Sequence, residues 1–522
     1  MEQRATRSRL AWSTAIFSLA TGLSRVLGLV REIVAAYYFG AAGKINSFTV
    51  AFQLPNLVRA LVADAALSSA FVPVFSELLE KGERKRAWRV ASSLFWLILL
   101  GLGGLTALFI VVAPLLMRPF HPVDLDLTVG LSRVLFPVVA LLGVSGIIVG
   151  ILNSYDEFTI PALTPVAWNL AIILGLVLGV PRADTTDAKL YVYAVSILVG
   201  TVIQVLLPLP WLRGRDDRLR LVIDWRDPAV AQTFKLMVPV TLGLGLINVN
   251  AVIDTLFASR LIDPALAPSA IDKAFRIYML PQGIFSVAVA TVLFPSLSRL
   301  ATRHDMDGFR RTVGLGLRQI AFLLVPASFA FAVLAEPIVR LLYQRGEFTA
   351  AQTTVVADAL AAFSLGLAFN GAMLMLNRAF FSLQSNWLPT VVALGNLALN
   401  ALLDAAFYSF GVWGIPLATS LVNIAGTAAL LLLLRRRITR IDASTMARTA
   451  VLVTLASVAL AAVAWPVWDA LDSALGRSVG AQFVSLGTAL AAGSVAYVLA
   501  CRALNVHELE ALLALRTRFR RV

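Results

Sequence analysis

The stretch Ser13-Thr-Ala-Ile-Phe-Ser-Leu-Ala-Thr-Gly22-Leu-Ser24-Arg25-Val-Leu-Gly28-Leu-Val-Arg31-Glu32-Ile-Val-Ala-Ala-Tyr-Tyr-Phe39 decides the fold. It is apolar and exceeds the roughly 20 helical residues that a bilayer core requires. Its interior nevertheless holds Arg25 and Arg31, beside Gly22 and Gly28. An arginine at the bilayer centre costs roughly 2.5–3.5 kcal/mol on an insertion scale, so these two must face water, protein or an anionic partner.

The rest of the chain agrees with that reading. Of 522 residues, 59% are hydrophobic and 14% charged, and the mean hydropathy is +0.82. A soluble domain carries about 25% charged and about 45–50% apolar residues, so the composition defines a polytopic membrane protein. One cysteine, Cys501, excludes an intramolecular disulfide and a thiolate metal cluster. His121, His304 and His507 stand far apart and in no ligand-spaced motif. The basic start (Arg4, Arg7, Arg9) followed by an apolar run resembles a signal peptide. The run is too long, contains arginines and lacks a small-residue cleavage site, so it reads as a retained first span.

Apolar runs mark fourteen spans, at 13–39, 47–78, 88–117, 128–152, 161–180, 190–212, 229–259, 271–297, 312–343, 352–383, 387–410, 412–434, 447–469 and 479–503. The net charge of +14 sits mainly in alternate loops: Lys81 to Arg89, Arg213 to Arg226, Arg299 to Arg311, Arg435 to Arg440, and both termini. That bias places both termini in the cytoplasm and is explained by topology, with no nucleic-acid partner required.

The chain also repeats itself. Pro73 recurs as Pro295, Pro114 as Pro337, Asn153 as Asn377 and Asn169 as Asn396, in order and at nearly constant spacing. Six spans separate corresponding landmarks, so the halves share one orientation, as in transporters whose substrate site lies between parallel repeats. The expected fold is all-α, with an N-lobe at 1–212, a C-lobe at 213–436, and helices 13 and 14 with a basic tail at 437–522.

Within the spans lie Arg59, Asp64, Asp254, Arg276 and Asp404, while Arg133, Arg318 and Arg378 lie nearer span ends and can snorkel. Two readings of Arg25, Arg31, Arg59 and Arg276 stand side by side. They pair internally with Glu32, Asp64 or Asp254, or they converge on one hydrated cavity and bind an anion. Guanidinium forks match phosphate oxygens bidentately, which suits a pyrophosphate and not a neutral sugar. Arg25 and Arg31 are about 120° apart around an ideal helix, and share a surface only if it bends.

The motifs Ser24-Arg25-Val26-Leu27-Gly28, Arg31-Glu32, Phe39-Gly40, Leu54-Pro55-Asn56-Leu57 with Arg59, and Ala70-Phe71-Val72-Pro73 with Glu77 resemble the N-terminal signature of the MurJ/MviN family. Its members are lipid II flippases of the multidrug/oligosaccharidyl-lipid/polysaccharide exporter superfamily. The resemblance implies two six-helix lobes around a cationic cavity that opens alternately to each side, and a groove built with helices 13 and 14 for a polyprenyl tail. It implies Ser24, Arg25, Arg31, Arg59 and Arg276 as substrate-binding residues, with Glu32, Asn46 and Asp64 in gating or charge pairing. It further implies a sodium site at Asp254, Asn400, Asp404 and Thr419, although helix-to-helix hydrogen bonding accounts equally for those polar groups. No other cofactor is expected. Asn46 and Met279 depart from the acidic or amide residues common at their positions in the family.

The function implied is movement of lipid II, the undecaprenyl-pyrophosphate-linked disaccharide pentapeptide, to the outer leaflet of the bacterial cytoplasmic membrane. Membrane lipids and the wall-synthesis machinery are the further partners, and a monomer suffices. The alternatives are an exporter of another lipid-linked oligosaccharide, and a membrane glycosyltransferase or scaffold of wall synthesis. The acids Asp124, Asp126, Asp184 and Asp187 sit in no catalytic motif, and there is no Walker A sequence, so no enzymatic role is expected.

Overall fold

The computed structural model describes residues 2–62, 66–385, 387–438 and 443–509. The described residues form helices and connecting turns, with no strand among them. They divide into two compact units, 1–268 and 269–522.

The first unit holds α1 (Glu2–Phe39), α2 (Ile45–Val62), α3 (Ala66–Glu80), α4 (Arg84–Met117) and α5 (Leu125–Leu135). It continues through α6 (Pro137–Ser154), α7 (Thr159–Gly179), α8 (Thr186–Leu206) and α9 (Pro228–Phe257). The second holds α10 (Ala267–Pro281), α11 (Val287–Thr302), α12 (Met306–Val333), α13 (Ala335–Tyr343) and α14 (Ala350–Ser364). After these come α15 (Leu367–Ser382), α16 (Trp387–Phe407), α17 (Gly414–Ile438), α18 (Ala443–Leu475) and α19 (Val479–Ala503). Each of the fourteen expected spans coincides with one of these helices or with a consecutive pair. Among the described residues, ten helices are long and apolar enough to cross a membrane, or eleven if the bent pair α14–α15 is one span. The protein is therefore a polytopic, all-helical membrane protein.

Local chemistry sets where the helices start and break. Asp124, Thr185, Asp227, Asp305, Thr349 and Ser478 each accept a backbone N–H at a helix start, satisfying donors that the first turn leaves open. Pro137 begins α6 directly after α5, and α14 and α15 meet at 45° beside Gly366. Past Pro281 the helix loosens into a π-turn at Gln282–Ser286 before α11, an expected response to a ring that cannot continue the hydrogen-bond ladder.

Helices approach closely where side chains are small, since lipid offers no hydrophobic drive for association. A Cβ on Gly175 would lie 2.0 Å from Ser196 Oγ, and α7 packs on α8 there. In the second unit a Cβ on Gly426 would lie 2.3 Å from Asn396 Nδ2, where α16 meets α17. The repeat landmarks fall in comparable settings, with Pro73 inside α3 and Pro295 inside α11. Helix α9 packs on α2 and α3 and so lies in the first unit. In the second unit α18 and α19 pair tightly, and α18 lies along α12.

Candidate functional site

Ser24 and Arg31 are seven residues apart on α1, two turns, and so project from one face. That face packs on α7. Asn169 of α7 is the buried link, 4% exposed. Its Oδ1 accepts from Arg31 Nη1 at 3.2 Å, while its amide donates to the Pro165 carbonyl at 2.9 Å, the Ser24 carbonyl at 3.4 Å and the Ser24 hydroxyl at 3.5 Å. Arg31 Nη2 and Nε both donate to Glu32 Oε1, at 2.6 and 3.3 Å. The guanidinium also lies over the Trp168 ring, 4.7 Å from its centroid, an attractive placement for a partly desolvated cation.

The internal-pairing reading therefore holds for Arg31 and Glu32. It does not close the guanidinium, which has five N–H donors. Three are spent on Asn169 and Glu32, so two remain. Glu32 is buried, and its Oε1 takes two of those three bonds, so the carboxyl group is held at a fixed orientation.

Arg25 is exposed and lies on another face of α1, which continues as a helix through Gly22 and Gly28. On α2, Arg59 Nε and Nη2 donate to Asn56 Oδ1, one turn earlier, at 3.1 and 2.8 Å. Asp64 lies outside the described residues. In the second unit Arg276 Nε donates to Asp272 Oδ2 at 2.8 Å, with both side chains about one-third exposed, at 33% and 31%. Trp168, Asn169, Asn56 and Asp272 were not singled out as site residues from sequence. The α1 and α7 partners are 138 positions apart, although Asn169 was visible as a repeat landmark.

Asn46 is almost fully buried, 1% exposed, in the first turn of α2, directly after the turn that follows α1. Its Nδ2 donates toward three carbonyls, those of Ala41 at 3.0 Å, Gly43 at 3.1 Å and Ala265 at 2.6 Å. The Gly43 N–H also reaches the Ala265 carbonyl at 2.6 Å, so this turn is bound to the segment that follows α9.

The positions expected to hold sodium are divided in sequence between the two units, Asp254 in the first and Asn400, Asp404 and Thr419 in the second. On α9, Asp254 accepts from Asn250 Nδ2 at 3.3 and 3.2 Å. On α16, Asn400 and Asp404 are both fully buried, with Asn400 Nδ2 donating to Asp404 Oδ2 at 2.9 Å. Thr419, on the neighbouring α17, donates to the Ile415 carbonyl at 3.2 Å. A buried carboxylate beside an amide suits a hard cation by donor type, and Asp404 and Asn400 meet that criterion. Among the described residues no three His, Cys, Asp or Glu side chains gather as a metal cluster.

The second unit also contains an apolar cavity of about 580 Å³. Its walls come from α12, α14, α15, α17 and α18, including Phe329, Phe369, Leu431 and Ala450, and Arg318 and Arg435 also line it. Arg318 Nε donates to the buried Glu508 at 2.7 Å. The snorkelling expected of Arg318 is thus replaced by an internal ion pair. Arg133 donates to the Ile110 carbonyl at 3.1 Å, and Arg378 lies over Phe294 at 5.1 Å.

These features define a class: a polytopic helical membrane protein whose transmembrane helices carry ion-paired and hydrogen-bonded arginines. Comparison with known proteins narrows it. The family model described as lipid II flippase MurJ matches residues 35–476. A probable lipid II flippase MurJ of Vibrio cholerae serotype O1 is 31% identical over 436 residues, 81% of this chain and 82% of that protein. A solved lipid II flippase MurJ in an inward closed conformation superposes with a TM-score of 0.77, covering 94% of this chain and 99% of the other at 24% identity. A multidrug resistance MATE family transporter of the MOP superfamily, in an inward-facing conformation, superposes with a TM-score of 0.63 over 81% of this chain and 94% of its own at 16% identity, a likeness of fold. The chain belongs to the lipid II flippase MurJ family.

Proposed function

We propose that this protein moves lipid II from the inner to the outer leaflet of the bacterial cytoplasmic membrane by alternating access, and that it catalyses no covalent step. Family membership supports the cargo. The observation that carries the binding mode is Arg31, fixed by Asn169, Glu32 and Trp168 with two N–H donors still to give. A guanidinium held in this way loses little rotamer freedom on binding, and a pair of phosphate oxygens matches its fork.

In this reading Arg25, Arg31, Arg59 and Arg276 are ligands of the pyrophosphate, and Ser24 orients Arg31 through Asn169. Glu32 offsets charge so that the empty site tolerates the apolar layer. Asn46 acts at the extracytoplasmic gate. The apolar cavity along α18 accommodates part of the polyprenyl tail. Asp254, Asn400, Asp404 and Thr419 serve a sodium ion that biases the cycle, both termini are cytoplasmic, and the monomer is the working unit.

The test is binding of lipid II by the purified protein in nanodiscs, with native mass spectrometry as readout. Lipid II should bind, and an equimolar polyprenyl-pyrophosphate bearing an unrelated oligosaccharide should not displace it. Equal retention of both lipids would favour export of another lipid-linked oligosaccharide.

A further inference from the structure

Between α8 and α9 the chain does not hang free as a loop. Residues 218–224 run without helix or strand beside the first turns of α4, and their backbone is bonded to it. The N–H of Arg220 donates to Ser92 Oγ at 3.1 Å and that of Asp224 to Ser93 Oγ at 3.0 Å, while Trp96 Nε1 donates to the Arg220 carbonyl at 2.9 Å. Ser92 and Ser93 are buried, whereas Leu100, one turn beyond Trp96, is exposed. The segment therefore covers the beginning of a helix long and apolar enough to cross the membrane.

Its two sides differ. The acids face the protein or are neutralised: Asp216 takes Arg84 and the Tyr155 hydroxyl, Asp217 takes Arg220, and Asp227 takes Arg86. Val222 and Asp224 are half-buried. Outward stand Leu221 at 78% exposure, Ile223 at 47% and Trp225 at 64%, together with the exposed Arg213, Arg218 and Arg226, which form no ion pair with a carboxylate among the described residues. Arg226 lies over Trp225 at 5.0 Å. Large apolar side chains, a tryptophan and unneutralised arginines on one surface are the composition of a membrane interface.

We propose that residues 218–226 form an interfacial strap that docks on anionic phospholipid, Leu221, Ile223 and Trp225 entering the acyl boundary while Arg218 and Arg226 meet lipid phosphates. With the basic loops on the cytoplasmic side, this is the inner leaflet, whose negative surface attracts such groups. The strap ties the connection between α8 and α9 to lipid composition, and the proposal stands independently of the cargo.

The test places a thiol-reactive environment-sensitive fluorophore on Ile223→Cys in the full-length protein, in nanodiscs of zwitterionic lipid with increasing phosphatidylglycerol. The native Cys501 is buried, and unsubstituted protein carried through the same labelling supplies the background. The expected result is quenching by a shallow nitroxide lipid, little quenching by aqueous iodide, and growth of the lipid quenching with phosphatidylglycerol. Arg218→Gln and Arg226→Gln should each raise the anionic fraction needed for half-maximal quenching, by up to roughly fivefold. These exposed changes leave the strap's backbone bonds in place, and size-exclusion profiles check folding. Iodide quenching without lipid quenching overturns the proposal, as does lipid quenching indifferent to phosphatidylglycerol. Protection from iodide that appears only on adding a soluble cell extract would assign the surface to a protein and also overturn it.

Discussion

The side-chain amide of Asn46 donates to the Ala265 carbonyl at 2.6 Å, across 219 positions of sequence, and so fastens the start of α2 to the segment that follows α9. Two further carbonyls, of Ala41 and Gly43, lie within reach of the same nitrogen. Three acceptors around one buried group require a donor. An ionised carboxylate of the same shape would face three carbonyl dipoles with nothing to donate. Asn46→Ala should destabilise by about 1–3 kcal/mol through unsatisfied carbonyls, and Asn46→Asp by more at pH 8. A protonated carboxyl recovers one donor, so the aspartate variant should regain part of its loss as pH falls. Thermal unfolding of both variants from pH 5 to 8 measures this.

Arg31 and Glu32 predict non-additive behaviour. Removing the arginine alone leaves a buried carboxylate, which costs about 3–5 kcal/mol. Arg31→Gln with Glu32→Gln should recover most of that stability yet leave transport at least about tenfold down, because the phosphate fork is gone. Arg31→Lys should fold well and transport poorly, since an ammonium offers neither the fork nor the planar stack on Trp168. Unfolding curves beside transport rates separate the two effects.

Outside the membrane, Lys44 bonds Asp187 at 2.7 Å and lies 3.4 Å from Asp124. The hydrogen bond to Asp187 raises the Lys44 pKa. Asp124 is lowered first by the Leu127 N–H it caps and then by Lys44. The depressed Asp124 stabilises above its unfolded value and loses that contribution as acid protonates it. The raised Lys44 stabilises below its unfolded value and loses that contribution as alkali deprotonates it. The difference in Tm between the protein and Lys44→Met should be flat from about pH 5 to 9 and shrink below about pH 4 and above about pH 10.5.

Tyr155, which donates to Asp216 at 2.8 Å, is pushed up to about 12 by burial first and by that carboxylate second. A group raised in this way stabilises fully below its unfolded value near 10 and is lost as pH climbs toward 12. Tyr155→Phe should remove that part of the alkaline loss of stability, as read from Tm between pH 9 and 12.

The α18–α19 hairpin is joined to its unit by two ion pairs, Arg340 with Asp472 and Arg318 with Glu508. Arg340 is 5% exposed and also lies over Trp468 at 5.4 Å. Asp472→Asn should cost about 3 kcal/mol or more by stranding a buried cation, while Arg340→Met with Asp472→Leu should cost far less. Denaturant unfolding of the three proteins gives the comparison.

Much of this was legible in sequence because bilayers impose long apolar runs, and because arginines inside them are costly enough to be noticed. The spans and the prominence of Arg31 follow from that, whereas Asn46 stood out only through the family resemblance. Partners were less visible. Arg276 pairs with Asp272 four residues away, a helical spacing readable in principle. Trp168 and Asn169, in contrast, reach Arg31 only through the packing of α7 on α1, which periodicity does not encode. Arg318 sat near a span end, where snorkelling was the simpler reading. Its ion pair with Glu508 depends on the chain folding back after α19. The strap beside α4 has no periodic signature, because its bonds run from backbone to serine.

The most direct measurement uses cells that depend on this protein, depleted of it and then supplied with the protein or with Arg31→Lys. Lipid II is assayed with a degrading enzyme added from outside. The account predicts that on depletion lipid II accumulates and becomes unreachable, that the protein restores access, and that well-folded Arg31→Lys does not. Lipid II that stays reachable while polymer fails to form would contradict it and place the protein after translocation.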